Sequence, residues 1–308
     1  MRLRLSLIVG LITILIAFTA LAPGQAKTGL ASGRSYQDEI QRWRARRLEE
    51  LKGEGGWLSL VGLFWLNPGR NTFGSASSND IALPRNRSPR FAGSLWLENG
   101  AVRLEASPGS RITHNDSRVQ NLDLHPDADG KQTVLRLGSL TLYVIKRGER
   151  FGLRVKDARS PARFHFAGID HFPVDLNWRV EARFERYDPP RMISIVNVLG
   201  MVEKMVSPGV LVFSLGGETY RLEPVLEKGE DRLFVIFADE TTGKETYGAG
   251  RYLYADPAGP DGKVILDFNR AYNPPCAYTR FATCPLPPPQ NRLPIRVEAG
   301  EKKYLGKH

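Results

Sequence analysis

The feature that most constrains this chain is a succession of short apolar stretches separated by turn residues. Within residues 91–106, two such stretches flank Glu98-Asn99-Gly100, and Asn-Gly is the strongest short signal for a β-hairpin. Residues 176–187 alternate between apolar and polar or charged side chains, which is typical of an antiparallel strand with one solvated face. This pattern predicts a mainly β fold, an antiparallel barrel-like or sandwich domain.

Further strands are predicted wherever the same punctuation recurs. Glycine, proline or Asp/Asn clusters separate nearly all of them. Residues 57–66 are almost continuously apolar and predict a strand buried on both faces, with a short buried helix as the alternative. The other predicted strands are 133–137, 140–146, 151–156, 193–198, 210–215, 219–222, 233–238, 251–254 and 264–268.

One amphipathic helix is predicted near the beginning of the chain. Ser35 opens it, with Asp38 as a capping-box partner, and Gly53 or Gly55 ends it. The opposite side is densely charged, which is typical of a solvated face. Five residues recur at helical spacing on one side: Tyr36, Ile40, Trp43, Arg47 and Leu51.

The N-terminus has the layout of a secretory signal peptide. Arg2 and Arg4 precede an apolar run over residues 5–22, and Gly24-Gln25-Ala26 supplies small residues for cleavage. We therefore predict a signal peptide at 1–26, a linker at 27–34 and a single β-rich domain at 35–308, in the periplasm or cell envelope. Because the apolar run is long, an uncleaved anchor is the alternative, and membrane contact would then be confined to this segment.

Composition and missing motifs exclude several function classes. The 308-residue chain has a formal net charge of +10, but its basic and acidic residues are interspersed. No basic stripe accompanies a recognised nucleic-acid-binding motif, so nucleic acid is not a predicted partner. The sequence also lacks GxGxxG, P-loop, HExxH, CxxC and GxSxG motifs, and it contains only five histidines. No cofactor and no metal site are predicted.

Residues 267–301, called here the C-terminal loop, have neither helical nor strand periodicity for more than twenty positions. Loops of this length are uncommon in compact domains and are usually functional or disordered. The segment contains both cysteines and several aromatic residues, which are depleted in disordered chains. The sequence therefore predicts an ordered, irregular loop.

Three strings in the C-terminal loop resemble the end of the bacterial and archaeal domain-of-unknown-function family 1684: DFNRAYNPPCAY, CPLPPPQNRL and IRVEAGE. Three upstream segments, 56–69, 172–190 and 237–256, are similar to the same family. The resemblance extends over residues 41–304, since long and unusual strings recur in the same order. It names no activity.

The candidate binding site lies where the last predicted strand enters the C-terminal loop. Asp267 and Asn269 flank Phe268, so they share the opposite face if Phe268 points into the core. A binding site needs an apolar body and a few convergent polar groups. The same side chains would instead only hold the loop if they bond its backbone. The candidate ligand-binding residues are Asp267, Asn269, Tyr272, Asn273, Tyr247 and Arg251.

Cys276 and Cys284 are a candidate disulfide, because two cysteines in an exported chain invite pairing. A pair of buried free thiols is the alternative. The sequence therefore leaves the redox state of this pair open.

Two functions from different classes fit these features. The first is an exported β-rich protein that binds a small molecule or peptide at a pocket built by the C-terminal loop. The alternative is a hydrolase in the same cleft, with Asp267 or Asp239 as general base and Cys276 as nucleophile if it stays reduced. A purely structural role is the third possibility.

Overall fold

The computed structural model describes residues 26–306, with side chains from Gly33 onward apart from that of Asp129. The predicted signal peptide lies outside the described residues except for its last position. Helix α1 spans Ala26–Lys52, and residues 27–34, predicted as a linker, are part of this helix. Residues 27–34 contain no proline, and the glycines among them destabilise a helix only modestly. The helix therefore begins upstream of Ser35.

Helix α1 buries one face and leaves the other in solvent. Tyr36, Ile40 and Leu51 are buried, as their helical spacing predicted, whereas Arg42 on the other face is exposed. The Tyr36 hydroxyl donates a hydrogen bond to Asp267 at 2.7 Å, which ties the helix to the start of the C-terminal loop. No helix in the described part of the chain has both the length and the apolar character needed to cross a membrane.

The first half of the chain forms a β-sandwich. Its strands are β1 Leu60–Trp65, β2 Gly69–Gly74, β3 Ile81–Ala82, β4 Gly93–Glu98, β5 Ala101–Ala106, β6 Thr113–His114, β7 Ser117–Arg118, β8 Asn121–Leu124, β9 Val134–Leu137, β10 Leu140–Arg147 and β11 Arg150–Asp157. One sheet has the order β1-β11-β10-β9-β6-β7 and the other β3-β2-β4-β5-β8. All pairs are antiparallel except β2–β3. Leucines such as Leu95 and Leu142 from the two sheets meet in one apolar core.

The second half curves around a separate core as a half-barrel. After the short helix α2 Pro161–Phe164, its strands are β12 Arg179–Val196, β13 Val202–Leu215, β14 Glu218–Leu222, β15 Leu233–Phe237, β16 Arg251–Ala255 and β17 Lys263–Asp267. A four-stranded antiparallel sheet has the order β14-β13-β12-β17, and β15 pairs with β16. Phe268, at the start of the C-terminal loop, is fully buried in this core, packed edge-to-face against Phe237.

The predicted mainly β fold, with antiparallel sheets and one long helix at its start, is confirmed. The hairpin predicted around Asn99-Gly100 forms with both residues at positive φ, 51° and 75°, as a type I′ turn requires. Residues 57–66 begin with a short 3-10 turn and continue as β1, which pairs with β11. The apolar run is therefore a strand for most of its length.

The C-terminal loop is irregular and pinned by hydrogen bonds at several places. Its backbone at Tyr272 exchanges two hydrogen bonds with Tyr252 of β16, both at 2.9 Å. Asn291 is buried and its side-chain amide donates to the carbonyls of Glu223 and Ile236, each at 2.9 Å. These contacts pair the loop backbone at Tyr272 with β16, and they satisfy carbonyls at the end of β14 and in β15 that the loop covers.

Candidate functional site

The polar residues at the start of the C-terminal loop form a buried network. Asp267 accepts hydrogen bonds on one oxygen from the Tyr36 hydroxyl and from the backbone N–H of Asn269, at 2.7 and 3.2 Å. The Asn269 side chain is fully buried and clamps the backbone of Asp175, donating to its carbonyl at 2.8 Å and accepting from its N–H at 3.0 Å. These contacts hold the start of the loop against helix α1 and against the segment that precedes β12.

Arg251 and Asp239 form a second buried unit. Both side chains have zero exposure, and Arg251 Nη2 lies 3.2 Å from Asp239 Oδ1 and 2.8 Å from the Val297 carbonyl. The other carboxylate oxygen of Asp239 accepts from Val297 N–H and from the Thr241 hydroxyl, both at 2.8 Å. Burial lowers the pKa of Arg251, and the charge of Asp239 opposes this. The pair joins the end of the C-terminal loop to β16.

Asn273 and Tyr247 are also engaged with the loop. The Asn273 side chain is fully buried and donates to the Lys302 carbonyl at 2.8 Å, while its backbone N–H donates to Glu301 at 2.7 Å. The Tyr247 hydroxyl donates to the Cys276 carbonyl at 2.9 Å. Both contacts orient the backbone and present no group to a ligand.

The predicted disulfide is not formed. Cys276 and Cys284 are free and buried, and the backbone N–H of Cys276 donates to the Cys284 sulfur at 3.1 Å. The two thiols are therefore neighbours joined by hydrogen bonding. The hydrogen bond with Cys284 lowers the pKa of Cys276, whereas burial raises that of Cys284.

A cavity of about 510 Å³, called here the seam cavity, lies beside these networks. Helix α1, the end of β10, the middle of β11, strands β15 and β16 and the C-terminal loop all contribute to its wall. The loop supplies five residues: Tyr272, Pro275, Thr283, Cys284 and Pro285. Exposed residues such as Arg46 and Glu50 stand at its rim, and Tyr252 and Cys284, each 4% exposed, form its floor. The cavity thus leads from the surface into the interior.

Aromatic rings cover much of the seam cavity. Six contribute to its wall: Trp43, Trp57, Phe234, Tyr252, Tyr254 and Tyr272. Tyr254 stacks on Phe234 with centroids 4.9 Å apart and is nearly parallel to Tyr272. The Tyr254 hydroxyl donates to Glu227, and burial raises the pKa of Tyr254. Tyr252 stands edge-on to both Phe234 and Tyr272, so the rings form a packed aromatic wall against which the apolar body of a ligand could lie.

The cavity wall is also strongly basic. It includes five arginines, Arg46, Arg47, Arg147, Arg154 and Arg232, against two glutamates. Arg47 lies 4.3 Å above the Tyr272 ring and forms a 2.8 Å salt bridge with the buried carboxylate of Glu301. Arg154 forms no salt bridge among the described residues. The wall is therefore only partly neutralised by its own acids.

A second cavity of about 330 Å³ adjoins the first and shares four lining residues with it: Trp43, Arg232, Tyr254 and Tyr272. Asp267 and Arg270 line this smaller cavity. Within residues 33–306, no cluster of His, Cys, Asp and Glu side chains is suited to hold a metal ion.

The structure thus brings only some of the predicted site residues to a cavity. Tyr272 lines both cavities, Asp267 lines the smaller one, and Cys284 lines the floor of the larger one. Arg251 and Asn269, expected to share a pocket with Asp267, have no exposed surface and only hold the loop. Their residue types match a binding site, but their hydrogen bonds are made to the backbone and to the side chains of Asp239, Tyr36 and Asp267.

Sequence reasoning missed the residues that come from other parts of the chain. The sequence predicts only a core position for Trp57 and only a place on the buried side of the helix for Arg47. It predicts an ordinary strand around Arg154. No local signal marks Arg154: it alternates with Leu153 and Val155 in β11, as a residue on the polar face of an ordinary strand does.

Residues 164–302 match the model of a family described as Protein of unknown function (DUF1684), and the chain belongs to this family. The match begins far downstream of residue 41, so the segment 56–69, which also resembles the family, lies outside it. An uncharacterized protein of Haloarcula marismortui, solved by solution NMR, is 35% identical over 47% of this chain and 82% of its own, with a TM-score of 0.40.

Two FHA domains show a weaker likeness. One comes from an analysis of phosphothreonine-dependent FHA interactions, and the other is the FhaA FHA domain complexed with the intracellular domain of Rv3910. Each is 18% identical over 30% of this chain and over 92% and 97% of its own, with a TM-score of 0.22. Likeness at this level supports no inference about this chain. No curated protein matches it.

Proposed function

We propose that this protein binds a small organic molecule with a flat, largely apolar body in the seam cavity. The observation that carries the proposal is a cavity of about 510 Å³ lined by six aromatic side chains. Ligand sites are typically concave, of several hundred Å³, and lined by aromatic side chains with a few polar groups. The C-terminal loop supplies part of this wall, in keeping with its length and composition.

The hydrolase alternative gains no support from the candidate bases. Both oxygens of Asp239 accept hydrogen bonds and its side chain is fully buried. Asp267 is held by Tyr36 and Arg270. A general base needs a free lone pair within reach of the substrate, which Asp239 lacks; Asp267 lines the smaller cavity, but a hydroxyl and a guanidinium engage its carboxylate.

The proposal can be tested with the protein's own fluorescence. Trp43 and Trp57 line the seam cavity, so a bound ligand should change tryptophan emission. A panel of aromatic acids, aromatic amides and phosphate monoesters should contain members that change the emission and raise the melting temperature of the wild-type chain.

A matched pair of variants locates the binding. Tyr272→Leu should abolish both responses, whereas Tyr187→Leu should keep them, because Tyr187 also carries an arginine on its ring, at 3.9 Å, but lies outside the cavity. Equal responses of the two variants, or no response of the wild type to any aromatic member, would refute binding in the seam cavity.

We also propose that the protein acts in the cell envelope. The charged start, the apolar run and the Gly24-Gln25-Ala26 segment support export. The intact mass of the protein from the envelope fraction should correspond to a chain that begins at Lys27. A full-length chain in the membrane fraction would instead indicate the uncleaved anchor.

A further inference from the structure

Arg154 is a buried cation without a counter-charge. It is 4% exposed, it lines the seam cavity, and its Nε is buried with no hydrogen-bond partner. Its Nη2 donates a hydrogen bond to the hydroxyl of Thr283 at 3.3 Å, and the Tyr143 hydroxyl is a second, neutral hydrogen-bonding neighbour. A buried charge is costly unless it is paired, so this arrangement is incomplete without a negative group.

A second guanidinium faces the same hydroxyl. Arg147 Nε donates to Thr283 Oγ1 at 3.3 Å, so two arginines from adjacent strands converge on one neutral oxygen. Arg147 is neutralised by Asp127 at 2.8 Å, whereas no described carboxylate pairs with Arg154. The Thr283 oxygen has two lone pairs, and both arginines use it, so it offers little further compensation.

The other neighbours of Arg154 add no negative charge. The guanidinium lies 5.4 Å from the ring centre of Trp57 and 5.9 Å from that of Tyr143, which are weak cation–π contacts. Lys156 lies over the same two rings, and the positive charge of Arg154, after burial, contributes to lowering its pKa. The surroundings of Arg154 are thus net positive and partly dry.

We infer that the ligand of the seam cavity is an organic acid. Its carboxylate or phosphate group binds Arg154 beside Thr283, while its flat body lies against the aromatic side chains of the cavity. The inference rests on the proposed function and gives the ligand its chemical class. A guanidinium that lines a cavity without a described carboxylate partner is suited to take an oxyanion, and carboxylate and phosphate share the required geometry. Arg147 and the Thr283 hydroxyl would complete the anion subsite.

One test needs no ligand. Arg154→Met keeps the aliphatic stem and removes an unpaired charge, so the melting temperature of the unliganded protein should stay unchanged or rise. Arg147→Met is the matched control from the adjacent strand, and it should lower the melting temperature because it leaves Asp127 unpaired. A large loss of stability in Arg154→Met would show that Arg154 is structural and overturn the inference.

The second test compares charge at nearly constant shape, with phenylacetate against phenylacetamide in titration calorimetry, and adds phenyl phosphate as the second acid. The preferred acid should bind roughly 10- to 100-fold more tightly than the amide, because a hydrogen-bonded charge pair is lost. Arg154→Met should remove this preference. Whichever of phenylacetate and phenyl phosphate binds the wild type more tightly identifies the anionic group, carboxylate or phosphate, that the subsite prefers.

The outcomes separate the two proposals. Equal binding of acid and amide to the wild type would keep the aromatic cavity and overturn the anion subsite. If no aromatic probe binds but inorganic phosphate stabilises the wild type and not Arg154→Met, at matched ionic strength, the subsite survives and the proposed function fails. If no probe has any effect on the wild type, both proposals are overturned.

Discussion

Arg47 and Glu301 are 254 residues apart in sequence and form a buried salt bridge, with Arg47 Nε 2.8 Å from the carboxylate. Glu301 is fully buried and also accepts from the Asn273 N–H at 2.7 Å and from the Tyr278 hydroxyl at 3.0 Å. The pair fastens helix α1 to the end of the C-terminal loop. It also sets the position of Arg47 on the Tyr272 ring, at the wall of the seam cavity.

Loss of Arg47 should destabilise the whole molecule. Arg47→Met leaves the buried carboxylate of Glu301 without its cation, and breaking such a pair costs about 3–5 kcal/mol. Urea unfolding should show the loss, and Arg42→Met, an exposed position on the same helix, should change little. Adding Glu301→Gln to Arg47→Met should restore part of the lost stability, because it removes the unpaired buried charge. Equal midpoints for the two single variants would contradict the prediction.

Arg251 and Asn269 should behave as structural residues. Arg251→Met strands the buried Asp239 and should cost about 3–5 kcal/mol, and Asn269→Ala leaves the Asp175 backbone unpaired at about 1–3 kcal/mol. The control is Arg296→Met, since Arg296 pairs with Glu245 on the surface, where pairs contribute about 0–1 kcal/mol. Thermal melts measure all three. If the melting temperature falls only modestly in both Arg251→Met and Asn269→Ala, these residues do not hold the loop, and a binding role is favoured instead.

Both cysteines should react once the chain is unfolded. Cys276 and Cys284 are free thiols, so alkylation in denaturant without reductant should add two labels, as read by intact mass. The folded protein should label slowly, because both side chains are buried. A denatured protein that takes no label would mean that the thiols pair in the purified chain.

His171 should make stability depend on pH. Burial lowers its pKa, the charge of Arg44 lowers it further, and Glu301 opposes them. The unfolded state then binds the proton more readily, so this contribution is complete above about pH 6.5 and is lost as the pH falls below it. His171→Gln should therefore flatten the fall in melting temperature between about pH 7 and about pH 5.

The control for this experiment is His125→Gln, at an exposed position. It should follow the wild-type profile. If His171→Gln also follows that profile, His171 makes no measurable contribution, and the loss of stability at low pH belongs to the carboxylates.

The strands could be predicted because their signals are local. Alternation and turn residues lie within a few positions of one another, and β4–β5 and β10–β11 formed as expected. The start of helix α1 could not be predicted from Ser35, because a capping residue is tolerated within a helix when nothing else stops it. Local propensity there gave the element but not its boundary.

The cavity could not be predicted, because it is assembled from distant segments. Trp43, Arg154 and Thr283 come from a helix, a strand of the sandwich and the loop, and no spacing rule links them. The sequence instead indicates Asp267 and Asn269 as candidates, because these polar residues flank Phe268. They mainly hold the loop, because a long irregular segment must satisfy its own backbone before it can serve a ligand.

The seam cavity takes its wall from both halves of the fold: Arg147 and Arg154 belong to the sandwich, and Tyr252 and Tyr254 to a strand of the second half. A ligand held there bridges the two halves, so its binding free energy is added to the work of separating them. The unliganded chain would open along this seam first and meet proteases there. The amount of protein in the cell would then follow the supply of its ligand.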